Sequence, residues 1–153
     1  MKYDAKKEQE IFWDHFDEKL AEKGYPFTIL HKKAGVVTPW ATVNKNKSFV
    51  NTCVAIDFSV RSKTLRLNIY IRDNLSLFSV LETNKTEIDA MIGVPVQWVQ
   101  GSKNQKTRRI KHDIRLEIGN TNDYDNAIEK AIPIIERFIV VCRKYAEHEF
   151  FDF

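Results

Sequence analysis

Apolar positions recur with a period near 3.6 residues toward both ends of the chain and with a period of two through its middle. Phe12, Phe16 and Leu20 lie four residues apart with Trp13 beside them, so residues 5 to 23 read as an amphipathic helix that Gly24 stops. Tyr25-Pro26 begins an irregular segment. Thr38-Pro39-Trp40 marks a second break, after which residues 41 to 44 form a short strand entering an Asn44-Lys45-Asn46-Lys47 turn. Val50, Val54, Ile56, Phe58 and Val60 then share one face, with Asn51, Cys53, Ala55, Asp57 and Ser59 on the other. After Arg61-Ser62-Lys63 the alternation resumes over 64 to 72. Leu65, Leu67, Ile69 and Ile71 oppose Thr64, Arg66, Asn68, Tyr70 and Arg72, and short turns join these strands into an antiparallel meander.

Residues 74 to 82 read as a short helix. Asn84-Lys85-Thr86-Glu87 has the spacing of a capping box ahead of a second helical piece ending at Gly93. Two strands follow, 94 to 100 and 108 to 118, separated by the polar loop 101 to 107. In the second, Ile110, Ile114 and Leu116 oppose Arg109, Lys111, Asp113, Arg115 and Glu117. From Asp123 onward, Ile128, Ala131, Ile132, Ile135, Phe138, Ile139, Cys142 and Tyr145 keep helical spacing, and Pro133 either kinks this long helix or divides off its first turn. The order α-βββ-α-ββ-α predicts an α+β fold: a single two-layer domain in which a five-stranded, mainly antiparallel sheet carries its helices on one face.

At 153 residues, with 43% hydrophobic, 12% aromatic and 29% charged residues, the chain has the size and composition of one folded domain spanning residues 1–153. The charged opening MKYDAKKEQEIFW lacks a signal-peptide core, and no apolar run reaches membrane-spanning length. Together these lead us to expect a cytoplasmic protein with no membrane association. Cys53 and Cys142 have no ligand-pair spacing and are expected as free core thiols. The formal charge of +3 is small but unevenly distributed. Eight bases against one acid, Asp57, lie between His31 and Arg72, whereas seven acids against four bases lie from Asp123 onward.

Several segments resemble a known family. They are Ile11-Phe12-Trp13, Arg66-Leu67-Asn68-Ile69-Tyr70-Ile71, Phe78 to Leu81, Ile88-Asp89-Ala90-Met91-Ile92-Gly93, Gln97-Trp98, Arg108-Arg109-Ile110 and the helix from Ile134 to Tyr145. Together they are similar to the bacterial domain of unknown function family 4268, over nearly the whole chain. Gln97 departs from that family, which often has an acid beside the Trp. Members occur alone or after a domain like the restriction-endonuclease nucleases. The resemblance therefore implies a link to DNA transactions or defence, with a nuclease or another protein as partner. It assigns no catalytic residue.

A nuclease of the restriction type needs an Asp followed on the next strand by an acid-x-Lys, so that two carboxylates hold a divalent ion. Asp57 is the sole acid on its strand and no such motif follows, so it reads as a surface residue paired with Arg66 or Arg72. His15, His31, His112 and His148 lack ligand spacing, and His112 has the parity of a satisfied core histidine. No phosphate-binding glycine loop and no Ser or Cys with an adjacent base is present. We expect no cofactor, no metal and no catalytic set.

What remains is the open sheet face. Arg66, Tyr70, Arg72, Arg109, Lys111 and Arg115 share its parity, and the stretch from Lys103 to Lys111 adds Lys103, Lys106 and Arg108 with no acid. Guanidinium and ammonium groups around an aromatic ring suit DNA or RNA, the ring stacking on bases and the cations meeting phosphates. A solvated face carrying protective lysines explains the same residues, and Asp57, Asp113 and Glu117 on that face would neutralise part of the charge. Phe150, Phe151 and Phe153 either fold back onto the core or form a docking contact for a partner or a second copy.

Overall fold

The computed structural model describes residues 3–25, 27–33, 35–43, 52–101 and 107–146. The Asn44 to Lys47 turn, Lys103, Lys106, His148, Phe150, Phe151 and Phe153 lie outside the described residues, as does the side chain of Cys53. The elements run α1 (Ala5–Lys23), β1 (Ile29–Lys33), β2 (Val36–Val43), β3 (Thr52–Ser59), β4 (Thr64–Arg72), α2 (Leu75–Thr83), α3 (Lys85–Ile92), β5 (Gln97–Val99), β6 (Thr107–Arg115) and α4 (Thr121–Ala146). Among the described residues the fold is α+β, with four helices and an antiparallel sheet of six strands in the order β1-β2-β3-β4-β6-β5.

The sixth strand corrects the expectation of five. Residues 29 to 43, read as mostly irregular, form a β1–β2 hairpin. The obstacle to seeing it was Pro39, which has no N–H to give a ladder and normally disqualifies a strand interior. Here it sits in a bulge. Leu30 pairs with Thr42 and Lys32 with Val37, so the β2 stretch between those partners is longer than its β1 counterpart. Side chains satisfy the displaced backbone: the Thr38 hydroxyl, with one hydrogen to share, lies 2.6 Å from the Trp40 carbonyl and 3.1 Å from that of His31, and the Thr38 carbonyl accepts from the Trp13 indole at 2.9 Å.

β4 matches its expected limits because its alternation is strict. It pairs with β3 on one side and β6 on the other along its whole length, and Leu65, Leu67, Ile69 and Ile71 are essentially fully buried. Val54, Ile56 and Phe58 of β3 and Ile110 and Ile114 of β6 share that side. α4 packs along β3, β4 and β6, while α1 packs on β2 and α4. The centre is aromatic: the Phe12 ring lies edge-on to Phe58 at 4.3 Å, Trp13 at 5.1 Å and Tyr124 at 5.5 Å.

The helix ends follow local rules with one exception. Asp4 caps α1 by accepting from the N–H groups of Lys6 and Lys7, and Gly24, at φ +66°, closes it in the left-handed region. Asn74 caps α2 through the Leu77 N–H. Asn84 does not cap α3, contrary to the capping-box spacing. Its side-chain amide donates back to the Val80 carbonyl at 2.8 Å, and Glu87 pairs instead with Lys144 of α4. Pro133 lies within a continuous α4 on its exposed side, where the carbonyl that loses its donor can turn to water. β5 and β6 are shorter than the strands read from sequence, and Gly119, at φ +81°, turns the chain into α4.

Because Phe12 joins α1 to β3 and α4 through ring contacts, Phe12→Ala is expected to destabilise the protein by about 3–5 kcal/mol. Urea unfolding followed by circular dichroism measures this; a loss below about 1 kcal/mol would contradict the aromatic centre described here.

Candidate functional site

The burial of Leu65, Leu67, Ile69 and Ile71 forces Arg66, Asn68, Tyr70 and Arg72 to the opposite side of β4, and the ladders extend each across neighbouring strands. Arg66 stands between Asp57 of β3 and Asp113 of β6, Asn68 between Ala55 and Lys111, and Tyr70 beside Arg109. Trp40 on β2 lies next to Asp57, and Arg115 opposite Thr64. The surface extends about 26 Å along β4 at the usual strand rise.

Arg66, Tyr70, Arg109 and Lys111 thus come together as their parity implied, with Arg72 and Arg115 at opposite ends. Arg108 does not join them. It pairs with Ile71, on the parity of the buried side chains, and a guanidinium nitrogen donates to the Thr107 carbonyl at 2.9 Å. Glu117 also leaves the face, because β6 ends at Arg115 and the Glu117 N–H turns to the Asp123 carboxylate of α4.

The charges form a connected set. Arg66 Nε donates to Asp113 Oδ1 at 2.9 Å, and Lys111 Nζ approaches Asp113 Oδ2 at 3.4 Å. The Arg109 guanidinium lies over the Tyr70 ring, 5.4 Å from its centroid. Asp57, expected to pair with an arginine, instead accepts a hydrogen bond from the Asn68 amide at 3.1 Å. Asn68 is 1% exposed, and among the described residues its Oδ1 has no hydrogen-bond partner. Arg72 is exposed, 3.9 Å from the Asp73 carboxylate, and Arg115 is exposed opposite Thr64. On β3, β4 and β6, five bases and two acids therefore share this parity.

The two acids differ in environment. Burial pushes the Asp57 carboxyl above the usual carboxylate range, and the Asn68 hydrogen bond with the charges of Arg109 and Arg66 offsets only part of that. Burial also acts upward on Asp113, but the Arg66 hydrogen bond and charge, joined by Lys111, outweigh it and hold that carboxyl below its usual range.

Sequence reasoning missed Trp40 as a surface aromatic. It is 42% exposed on the same face as Tyr70, about 16 Å away across two strand spacings. Its signal was the alternation Thr38, Trp40, Thr42, which Pro39 obscured. The three described histidines are dispersed. His15 meets Asp125 at 2.8 Å, His31 meets Asp17 at 2.8 Å, and His112, half-buried rather than deep in the core, meets the Pro95 carbonyl at 2.7 Å. Cys142 is buried. Among the described residues, no helix is long and apolar enough to cross a membrane.

A regular antiparallel sheet with one apolar side and one side of interleaved cations and aromatic rings defines an α+β domain. The sequence profile of Domain of unknown function (DUF4268) matches residues 8–146, and the chain belongs to that family. Among solved structures it is similar to YbjN, a proposed transcription regulator from E. coli, with a TM-score of 0.47 and 11% identity over 87% of this chain and 92% of that chain. No curated protein sequence matches.

Carboxyl-resonance NMR is expected to show Asp113 titrating below and Asp57 above the ordinary carboxylate range. By linkage, the depressed Asp113 value contributes stability present above its unfolded pKa and lost as pH falls through its folded pKa. The raised Asp57 value has the opposite sign, its ionisation weakening the fold as pH rises through the folded pKa. Matching midpoints for the two residues would contradict the environments described here.

Proposed function

We propose that this protein is a non-catalytic binding domain that engages nucleic acid through the polar side of its sheet. The observation that carries the reading is the juxtaposition of Tyr70 and its overlying Arg109 with Arg66, Lys111, Arg72 and Arg115 on one continuous surface. Phosphates release counterions on meeting such cations, and exposed rings offer stacking platforms to unpaired bases. Trp40 supplies a second ring at the edge of the surface. Two rings separated along a rigid sheet favour a single strand, whose bases are free to turn toward them, over a duplex. The Arg66–Asp113–Lys111 connection holds two of the cations in place before a ligand arrives.

The reading places the domain in the cytoplasm beside a nuclease or another protein partner. The family context supports that placement.

A second reading, a protein-interaction or dimerisation module, draws on the exposed apolar side chains of Leu30, Val36 and Trp40 near the β1–β2 edge. Salt separates the two, since phosphate contacts weaken steeply with ionic strength and apolar contacts do not.

Fluorescence-anisotropy titration with single- and double-stranded DNA and RNA tests the first reading. The wild type is expected to bind single strands in a salt-sensitive manner. Arg72→Glu/Arg109→Glu/Arg115→Glu should bind at least about tenfold more weakly at low salt and show a shallower salt dependence. Absence of binding to every probe at low salt would overturn the proposal and leave the protein-interaction module as the better account.

A further inference from the structure

The ladders joining β2, β3, β4 and β6 align one cross-strand row on the polar side of the sheet: Trp40, Asp57, Arg66 and Asp113. Directly opposite residues have Cβ atoms about 5 Å apart, so a large ring, a carboxylate and a guanidinium stand side by side. Arg66 has an acid on either hand, and its Nε bonds Asp113 at 2.9 Å. Asp57 keeps the Asn68 amide, which donates to its Oδ2 at 3.1 Å.

The second Asp57 oxygen and Asn68 Oδ1 both lack a hydrogen-bond partner among the described residues, but only the Asn68 atom is sealed from solvent. Asp57 is half-buried, and its Oδ1 is open to a donor arriving from the surface. The raised titration of this carboxyl has a related cause: burial has stripped water from it, and the Asn68 bond with the charges of Arg109 and Arg66 offsets only part of that loss. Trp40, directly opposite, is 42% exposed, and among the described residues no other ring or cation stacks on it. Ala41 and Ile56, the next pair of the same ladder, are fully buried. Trp40 and Asp57 are therefore held on the polar side by register.

A base that stacks on the indole brings one edge over the adjoining strand, about 4.8 Å away, where Asp57 lies. A carboxylate accepts and cannot donate, so it selects by donors. On its pairing edge guanine presents two adjacent donors, N1–H and the N2 amino group. Adenine and cytosine present one amino group beside a ring nitrogen whose lone pair would face the carboxylate. Thymine and uracil present one N–H between two carbonyls.

We propose that Trp40 and Asp57 form a guanine-reading position, in which the base stacks on the indole and its N1–H and N2 amino group donate to the Asp57 carboxylate. This inference rests on the nucleic-acid reading of the sheet and adds base selectivity to it.

Fluorescence anisotropy at low salt, with a short thymidine-only DNA strand and the same strand carrying one central guanine, tests the assignment. The wild type is expected to bind the guanine strand at least about fivefold more tightly than the thymidine strand. Replacing the guanine by hypoxanthine, which lacks only the N2 amino group, should remove most of that gain, and this arm needs no altered protein. Asp57→Asn, which keeps the shape of the side chain, is expected to bind the guanine and thymidine strands alike. In NMR spectra of the wild type the Trp40 indole N–H should shift as the guanine strand is added. Equal binding of the two strands by the wild type, or a guanine preference undiminished in Asp57→Asn, overturns the proposal and leaves the sheet surface standing as an unselective nucleic-acid site. Absence of binding to either strand contradicts the nucleic-acid reading itself, and the guanine position falls with it.

Discussion

The register of β4 against β3 and β6 is the constraint on which the rest of the molecule depends. Side chains alternate with a period of two, so burying Leu65, Leu67, Ile69 and Ile71 commits Arg66, Asn68, Tyr70 and Arg72 to the other side. A slip of one residue would exchange the two sets and place two arginines in the aromatic core, a cost no local adjustment could recover. Both flanking strands obey the same parity, so their polar residues fall into rows with those of β4. The surface chemistry is in this sense a by-product of core packing.

Within those rows the electrostatics are graded. Asp113 is drawn into a bond with Arg66 and approached by Lys111, and its charge is favoured. Asp57 sits deeper, bonded to Asn68, and its charge is disfavoured. Surface pairs of this kind add little to stability, but they restrict where long cationic side chains can lie. The sheet surface therefore presents ordered guanidinium and ammonium groups beside the Tyr70 ring, an arrangement suited to a ligand with regularly spaced negative charge.

Much of this was legible in the chain, and what was hidden had identifiable causes. Strict alternation gave β4 its limits to the residue, and four-residue spacing with Gly24 did the same for α1. The β1–β2 hairpin was obscured because Pro39 signals a break, and only the tertiary contact from Trp13 to the Thr38 carbonyl shows why a bulge there is tolerated. Asn84 misled for a related reason: its amide had two helices to serve, and the end of α2 took it. For the site, parity identified Arg66, Tyr70, Arg109, Lys111 and Arg115. Loop composition misplaced Arg108, which it had grouped with its neighbours although alternation assigned it to the other side. The Asn68–Asp57 bond lies diagonally across two strands, and no one-dimensional pattern encodes it.

The central claim is that core packing has built a nucleic-acid surface on the polar side of the sheet. Chemical-shift mapping with a short single-stranded oligonucleotide at low salt addresses it most directly, because it reports where a ligand lies as well as whether it binds. The account predicts perturbations concentrated at Arg66, Tyr70, Arg109, Lys111 and Trp40. Perturbations confined to α1, α2 or α4, with those five residues unmoved, would contradict it.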